Sequence, residues 1–345
     1  MANRKLKAVD FFCGAGGMSC GLSQAGIKVL AGIDIDTACK ETYLQNHTNS
    51  KFINKNIKEL SVKELQSELR LTIKDDHMVF IGCSPCQYWT QLHTTKNKSS
   101  ESKNLLVDFL RFIEFFLPGF IIVENVPGVL KKSKESKLDE FKKSLQNSGY
   151  TIVDKIINTN EYGVPQKRNR YLLLASRVAK DIKLPEKTDG KLPTVKDFIG
   201  IANGFPEIPH GNKDLSENLH STMKMSEINL LRIKQVSKNG GTRDSWESTI
   251  PAYEGKDIFP DTYGRMSWDK PAPTITTKFI SISNGRFGHP EEDRAISLRE
   301  GAALQTFPKT YKFIGNGIGS IARQIGNAVP PKFAKSIGLC LVENK

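Results

Sequence analysis

The chain has 345 residues, 38% of them hydrophobic and 25% charged, the make-up of a globular protein with a sizeable core. No apolar run reaches the ~18–20 residues of a bilayer span, and the basic start, Met1–Lys7, leads into a strand-like segment rather than a secretory signal, so the cytoplasm is the expected compartment. Lys and Arg exceed Asp and Glu by 50 − 37 = 13, which favours a polyanionic partner through counterion release.

In chain order, Ala8–Phe12 reads as a strand, Gly17–Ala25 as a helix, Val29–Ile33 as a strand, and Asp36–Gln45 and Val62–Leu71 as helices. Met78–Gly82 reads as a strand, Leu105–Leu117 as an amphipathic helix, Phe120–Val123 as a strand, Leu138–Gln146 as a helix and Tyr171–Ala175 as a strand. Strands alternating with helices predict a doubly wound parallel sheet. The pattern then breaks. Residues 185–290 are rich in Gly, Pro, Asn, Ser and Thr, with one helical stretch near Ser226–Ser237; helical patterning returns at Leu298–Gln305 and Pro331–Leu341. The charge excess lies outside this middle part, since residues 181–280 carry 14 basic and 14 acidic side chains.

Three elements carry chemistry. The first strand ends in Asp10-Phe11-Phe12-Cys13-Gly14-Ala15-Gly16-Gly17, where glycines allow a tight turn and a close approach of ligand to a helix N-terminus. Asp34, 20 residues after Gly14, ends the next strand, where a carboxylate can accept from both ribose hydroxyls of a nucleoside cofactor. There is no G-K-[ST] of a phosphate-binding loop. On these residues alone a dinucleotide, S-adenosylmethionine and a plain tight turn all stay open. The third element, Gly82-Cys83-Ser84-Pro85-Cys86-Gln87, follows an apolar strand, and in open α/β sheets ligands bind beyond the carboxyl ends of strands. Cys86 there is a candidate nucleophile; an inert buried thiol and a redox C-x-x-C pair are the competing readings. The six cysteines do not form a disulfide framework, and no second pair or His pair completes a metal site; no metal is expected.

The Pro85-Cys86-Gln87 element resembles the nucleophile motif of the DNA (cytosine-5)-methyltransferases of bacterial restriction–modification systems, and the resemblance extends in order along nearly the whole chain. Phe12-Cys13-Gly14-Ala15-Gly16-Gly17 is similar to that family's cofactor loop and Glu124-Asn125-Val126 to its catalytic acid motif. Gln166-Lys167-Arg168-Asn169-Arg170 matches its Q-x-R-x-R element. Arg299-Glu300 through Leu304-Gln305-Thr306-Phe307-Pro308 is similar to the helix organising its smaller domain, and Gly326-Asn327-Ala328-Val329-Pro330 to its final motif.

The resemblance implies an α/β, doubly wound, Rossmann-like S-adenosylmethionine-dependent methyltransferase sheet with a second, smaller, irregular target-recognition domain. The expected boundaries are 1–185 plus 321–345 for the catalytic and cofactor-binding domain and 186–320 for target recognition. It implies methyl transfer from S-adenosylmethionine to carbon 5 of cytosine in a specific double-stranded DNA sequence, by a monomer, on a base turned out of the helix.

Carbon 5 of cytosine is a poor nucleophile until a thiolate adds to carbon 6; Cys86 supplies it. Glu124, after the apolar run Ile121-Ile122-Val123, is the candidate donor to N3, a role that needs a held proton. Arg168 and Arg170 alternate along an entering strand and are expected on one face, Arg170 toward cytosine O2 and Arg168 holding the site and a nearby phosphate.

For the cofactor the resemblance implies Phe12 against adenine, the turn glycines Gly14 and Gly16, Asp34 on the ribose and Ile35 flanking the base. Asn56 and Ile57, Pro85 and Leu105 would line the pocket, and Asn327 and Val329 would meet the methionine end. Two positions depart from the family pattern: Ile35 stands where Trp is common, and Asn56 where an acid is usual. For DNA, Gln87 and the lysines of a basic loop after the nucleophile (Lys96, Lys98, Lys103) are candidates, and Arg243, Arg265, Thr274 and Arg286 in the recognition domain, with Asn239, Lys278 and Asn284 also able to read base edges. A tRNA cytosine-5 methyltransferase of the same fold, a DNA-binding regulator without activity and a Cys83–Cys86 oxidoreductase are the rival readings.

Overall fold

The computed structural model describes residues 5–84, 105–131, 136–214, 216, 218–246 and 261–344. The chain divides into two compact units: Met1–Tyr162 with Asn169–Lys187 and Pro331–Lys345, and Gly163–Arg168 with Thr188–Pro330.

The first unit is built on a seven-stranded sheet. Its strands are β1 (Lys7–Phe11), β2 (Lys28–Asp34), β3 (Lys51–Asn54), β4 (Met78–Gly82), β5 (Phe120–Asn125), β6 (Thr151–Asn158) and β7 (Asn169–Ser176), in the order β3-β2-β1-β4-β5-β7-β6. The sheet is mixed rather than parallel throughout. Strands β1 to β5 pair in parallel, but β7 runs antiparallel to both β5 and β6. The physical reason is the link: ten residues join β6 to β7, enough for an antiparallel return but short for a helical crossover. Strands β3 and β6, both at sheet edges, were not expected from the apolar runs. The described helices of this unit are α1 (Gly17–Gln24), α2 (Lys40–Asn46), α3 (Val62–Leu69), α4 (Leu105–Phe116), α5 (Gly128–Lys131) and α6 (Leu138–Asn147), with the C-terminal helix, Pro331–Glu343, returning to the same unit.

β1, β4 and β5 are almost wholly buried, as continuous apolar runs in a sheet covered on both faces must be. Phe11 packs its ring about 5 Å from those of Phe80, Phe109 and Phe112. Gly82 is small because a Cβ there would lie 2.5 Å from the Phe109 ring. On the far side the C-terminal helix crosses α1 so closely that a Cβ on Gly21 would sit 2.3 Å from the carbonyl oxygen of Pro331.

The second unit has no named strand among its described residues, only isolated bridges such as Gln166 with Ala272 and Arg265 with Gly288. Its helices are α7 (Glu227–Gln235), α8 (Leu298–Leu304) and α9 (Ile318–Asn327); the Pro331–Glu343 helix, next in the chain, is α10. A small apolar cluster of Ile233, Val236, Tyr263, Ile282 and Ala295 anchors α7. Helix α8 opens with a capping box in which Ser297 Oγ accepts from the Glu300 N–H (3.1 Å) and Glu300 accepts from the Ser297 N–H (2.7 Å). Buried ion pairs do the work of a larger core here: Arg294 joins Glu300 and Glu292 at 2.7 and 2.8 Å. Burial pushes the Glu300 carboxyl up, but the hydrogen bonds and charge of Arg294 outweigh this and hold it at about 2. Among the described residues no helix is long and apolar enough to cross a membrane.

Candidate active site

The turn after β1 is built on left-handed backbone. Gly14 and Gly16 have φ of 51° and 85°, and Phe12, without glycine's freedom, is held at 65°. Such strain in a non-glycine residue persists only where the surroundings over-determine it and is often found at ligand sites. The surroundings are visible: the Cys13 N–H donates to the Ile33 carbonyl (3.1 Å), and the Gly16 N–H to that of Cys13 (2.9 Å). A Cβ on Gly14 would meet nothing within 4 Å, so the turn faces open space.

Asp34 closes the other side. Its two carboxylate oxygens accept the Gly14 N–H (2.8 Å) and the Asp36 N–H (2.9 Å). Burial raises its pKa above the ordinary carboxylate value, against the pull of those N–H groups. Each oxygen keeps a lone pair for a hydroxyl. Ile35, next to it, is 64% exposed, a large apolar side chain with a face open to a flat ring. Asn56 Oδ1 accepts the Lys58 N–H at 3.1 Å, so an amino group on the same oxygen would share it. Ile57 and Leu105 are buried, and Phe12 is packed against the core. An acid fixed by backbone donors, an open glycine turn and an exposed aliphatic flank fit a nucleoside-bearing cofactor.

Asp10 was not expected to matter. It is wholly buried in β1 and accepts from Ser19 Oγ at 2.6 Å; because Ser19 gives its proton to Asp10, the Tyr43 hydroxyl donates to Ser19 (3.1 Å). Its second oxygen, Oδ1, makes no hydrogen bond. Burial, helped by the charge of Asp34, pushes its carboxyl up to about 7 despite the Ser19 hydrogen bonds. The sequence signal was a lone acid inside the apolar run Lys7–Phe11.

At the end of β5 stand Glu124 and Asn125, both buried. Arg170 Nε lies 2.9 Å from Glu124 Oε1. The pairing register explains the meeting. Glu124 faces Leu172 across the β5–β7 pair, so Arg170 is its diagonal neighbour, within reach of a long side chain. Asn125 Nδ2 donates to Ser84 Oγ at 3.1 Å, tying the ends of the parallel strands β4 and β5 together. Ser84 stands two residues before Cys86 in the sequence. Pro85, Cys86, Gln87, Lys96, Lys98 and Lys103 lie outside the described residues.

Arg168 and Arg170 fall in different units. Arg168 precedes β7, belongs to the second unit and is buried. Its guanidinium donates to the carbonyls of Ile275 (3.1 Å) and Ala328 (3.2 Å), an internal brace rather than a surface phosphate contact. It joins a buried knot. Gln166 donates to Gln305 Oε1 at 2.7 Å and accepts from the Ile275 N–H at 3.1 Å, while Gln305 donates to the Ile325 carbonyl at 2.7 Å. The knot holds the backbone of 325–328, leaving Asn327 exposed and Val329 buried. Gly326 has no substitute there, since its Cβ would sit 2.4 Å from the carbonyl carbon of Thr276.

The candidate DNA readers divide. Arg265 is fully buried and all five of its N–H donors are spent: on the carbonyls of Val236, Ile233, His289 and Glu292 and on Asp293. The structure makes it a brace of the second unit in place of a base reader, because a guanidinium so enclosed has no donor left for DNA. Thr274 Oγ1 donates to the Lys167 carbonyl at 2.8 Å. Arg286 is part-exposed and bonded to Asp261 at 2.8 Å, and Arg243 donates to Thr262 Oγ1 at 3.0 Å. His289, Glu292 and Glu300 lie close enough to hold a metal ion, but the Arg294 guanidinium already occupies both carboxylates.

Comparison with known proteins agrees with this geometry. Residues 6–343 match the family described as C-5 cytosine-specific DNA methylase. The chain is 40% identical over 339 residues to the type II methylase M.HgiDII of Herpetosiphon aurantiacus, covering 95% of this chain and 93% of that one. It is 30% identical over 334 residues to the type II methyltransferase M1.HphI of Haemophilus parahaemolyticus, covering 96% and 85%. Among solved structures, a prophage-encoded DNA modification methyltransferase from E. coli superposes with a TM-score of 0.75 at 22% identity, covering 99% of each chain. A Spodoptera frugiperda DNMT2 variant superposes at 0.66 and 16% identity, covering 98% and 100%. Both share the fold.

Proposed function

The chain belongs to the C-5 cytosine-specific DNA methylase family, and on that premise we propose that it is the modification methylase of a type II restriction–modification system, acting as a cytoplasmic monomer on one duplex sequence. The observation that carries the reading is the Glu124–Arg170 pair at the β5–β7 strand ends, beside a strand β4 that leads to Cys86. The extent of the match to two type II enzymes supports the assignment to restriction–modification.

S-adenosylmethionine, the family's cofactor, supplies an electrophilic methyl on sulfur. Asp34 would hold the ribose hydroxyls, and Ile35 and Phe12 would flank the adenine; Asn327 and Val329 are the residues proposed for the methionine end. Gly14, Gly16, Asn56, Ile57, Pro85 and Leu105 complete the pocket. Cys86 adds as thiolate to carbon 6 of the extruded cytosine, forming a C–S bond and moving electron density toward N3 and carbon 5. Arg170 holds O2. Glu124 gives a hydrogen bond to N3, which requires its contact with Arg170 to rearrange as the base arrives. Carbon 5 would take the methyl as the methyl–sulfonium bond breaks and S-adenosylhomocysteine leaves; the carbon 5 proton then passes to water and the Cys86 thiolate is expelled from carbon 6. Arg168 holds the backbone at Ala328 and so acts as a positioning residue. Gln87, Lys96, Lys98 and Lys103 contact the DNA after the base is extruded, and Arg243 and Arg286 remain readers or phosphate contacts in the second unit.

Duplex DNA carrying 5-fluorocytosine at the target tests the chemistry, since fluorine cannot leave as the proton does. The expected result is a covalent protein–DNA complex through Cys86 that forms only with S-adenosylmethionine and survives denaturation. A Cys86→Ala variant that is trapped equally well contradicts the mechanism.

A further inference from the structure

We propose that Arg232, on helix α7, is a specificity-determining residue that reads a guanine of the recognition sequence. The inference rests on the reading that the second unit recognises the target. Helical spacing puts Ile228, Leu231, Arg232 and Gln235 on one stripe, at i, i+3, i+4 and i+7. The opposite side carries Ile233, which is buried in the unit's core, and Leu230, which packs against it. Ile228 (48%) and Leu231 (58%) are open to solvent, and Arg232 lies half-buried at the edge of the stripe, its Nε enclosed. Two open aliphatic side chains beside an arginine and a glutamine form a surface that suits the major groove, where methyl groups of thymine alternate with hydrogen-bonding edges.

Arg232 is held differently from three other arginines of this unit. Arg265, Arg286 and Arg294 each pair with a carboxylate. Arg232 has no carboxylate partner among the described residues. Its guanidinium instead lies 5.5 Å from the ring centroid of Trp246 and 5.6 Å from that of Tyr263, two rings packed edge to face at 4.9 Å. One Nη donates to Asn229 Oδ1 at 3.2 Å. Aromatic faces fix the plane of the guanidinium without neutralising its charge. A fork held in one plane and still charged can offer its Nη groups to O6 and N7 of guanine in a fixed geometry, which the rotatable point charge of lysine does not impose.

The test uses the whole protein on a library of duplexes with randomised sequence, read by bisulfite sequencing, with Arg232→Lys beside the wild type. Lysine keeps the charge and loses the fork. The expected result is continued methylation with discrimination at one G·C pair of the site reduced on the order of ten- to a hundred-fold, the other positions holding. Unchanged discrimination at every position overturns the proposal. So does a uniform loss across sequences with a shallower salt dependence, the behaviour of a phosphate contact. If Arg232→Lys fails to fold, Trp246→Phe, which loosens the stack and keeps a ring, is expected to relax the same position; full retention of specificity there also overturns it. A wild-type protein that methylates no cytosine in the library would instead remove the reading beneath.

Discussion

A carboxylate buried in a strand is costly unless it is neutral or paired, and Asp10 resolves this by holding its proton to about pH 7. The folded state therefore binds a proton that the unfolded chain releases near 3.8. This contribution to stability is fully present below that value and is lost as pH rises through about 7, for a total on the order of a few kcal/mol. Asp10→Asn, which can still accept from Ser19, is expected to flatten the fall in urea-unfolding free energy between pH 5 and 8; an unaltered slope counts against the assignment. At the other end of the site, Glu124→Gln is expected to lower kcat roughly a hundred- to ten-thousand-fold while leaving S-adenosylmethionine binding, followed by calorimetry, within a few-fold of wild type. Arginines show how far residues can be read from a sequence. Arg170 and Arg265 look alike as letters, yet one meets Glu124 and the other spends every donor inside its unit. Which carbonyls close around a guanidinium depends on contacts between distant segments, and spacing along the chain does not encode them.

At the scale of elements, the buried strands β1, β2, β4, β5 and β7 were legible because burial on both faces demands apolar runs. Edge strands β3 and β6 escaped because they are part-exposed and their residues carry no such constraint. Helix α9 went unread although Ile318, Ile321, Ala322 and Ile325 keep helical spacing, because it is short and its start and end are rich in Gly, Ser and Asn, the residues of turns. The crossing of α1 with α10 was hidden as well, although it leaves a trace in Gly21. Gly21→Ala places a methyl against backbone atoms of Pro331 and Lys335 that cannot swing aside, and is expected to cost about 1–3 kcal/mol in chemical denaturation. Ser297→Ala, which removes one half of the α8 capping box, is expected to cost about 1 kcal/mol. A variant of either kind as stable as wild type would show that the local packing is softer than these distances imply.

For the molecule as a whole, the net charge of +13 predicts DNA affinity that falls steeply with salt, since each neutralised phosphate releases counterions. The first unit was legible because the chemistry proposed for it requires fixed residue types in fixed order: a glycine turn, a strand-end acid, a thiol, a glutamate. The second unit was legible only as an irregular stretch. Its stability rests on buried ion pairs and single bridges that follow no period, and on the proposed function its surface answers to one DNA sequence. The claim on which all of this depends is where the methyl group goes. Incubating the protein with unmethylated duplex DNA and methyl-labelled S-adenosylmethionine, then resolving the nucleosides by mass spectrometry, tests it directly. The label is expected in 5-methyl-2′-deoxycytidine alone, and to vanish with Cys86→Ala; label on an exocyclic amine of cytosine or adenine, or undiminished label in that variant, would contradict it.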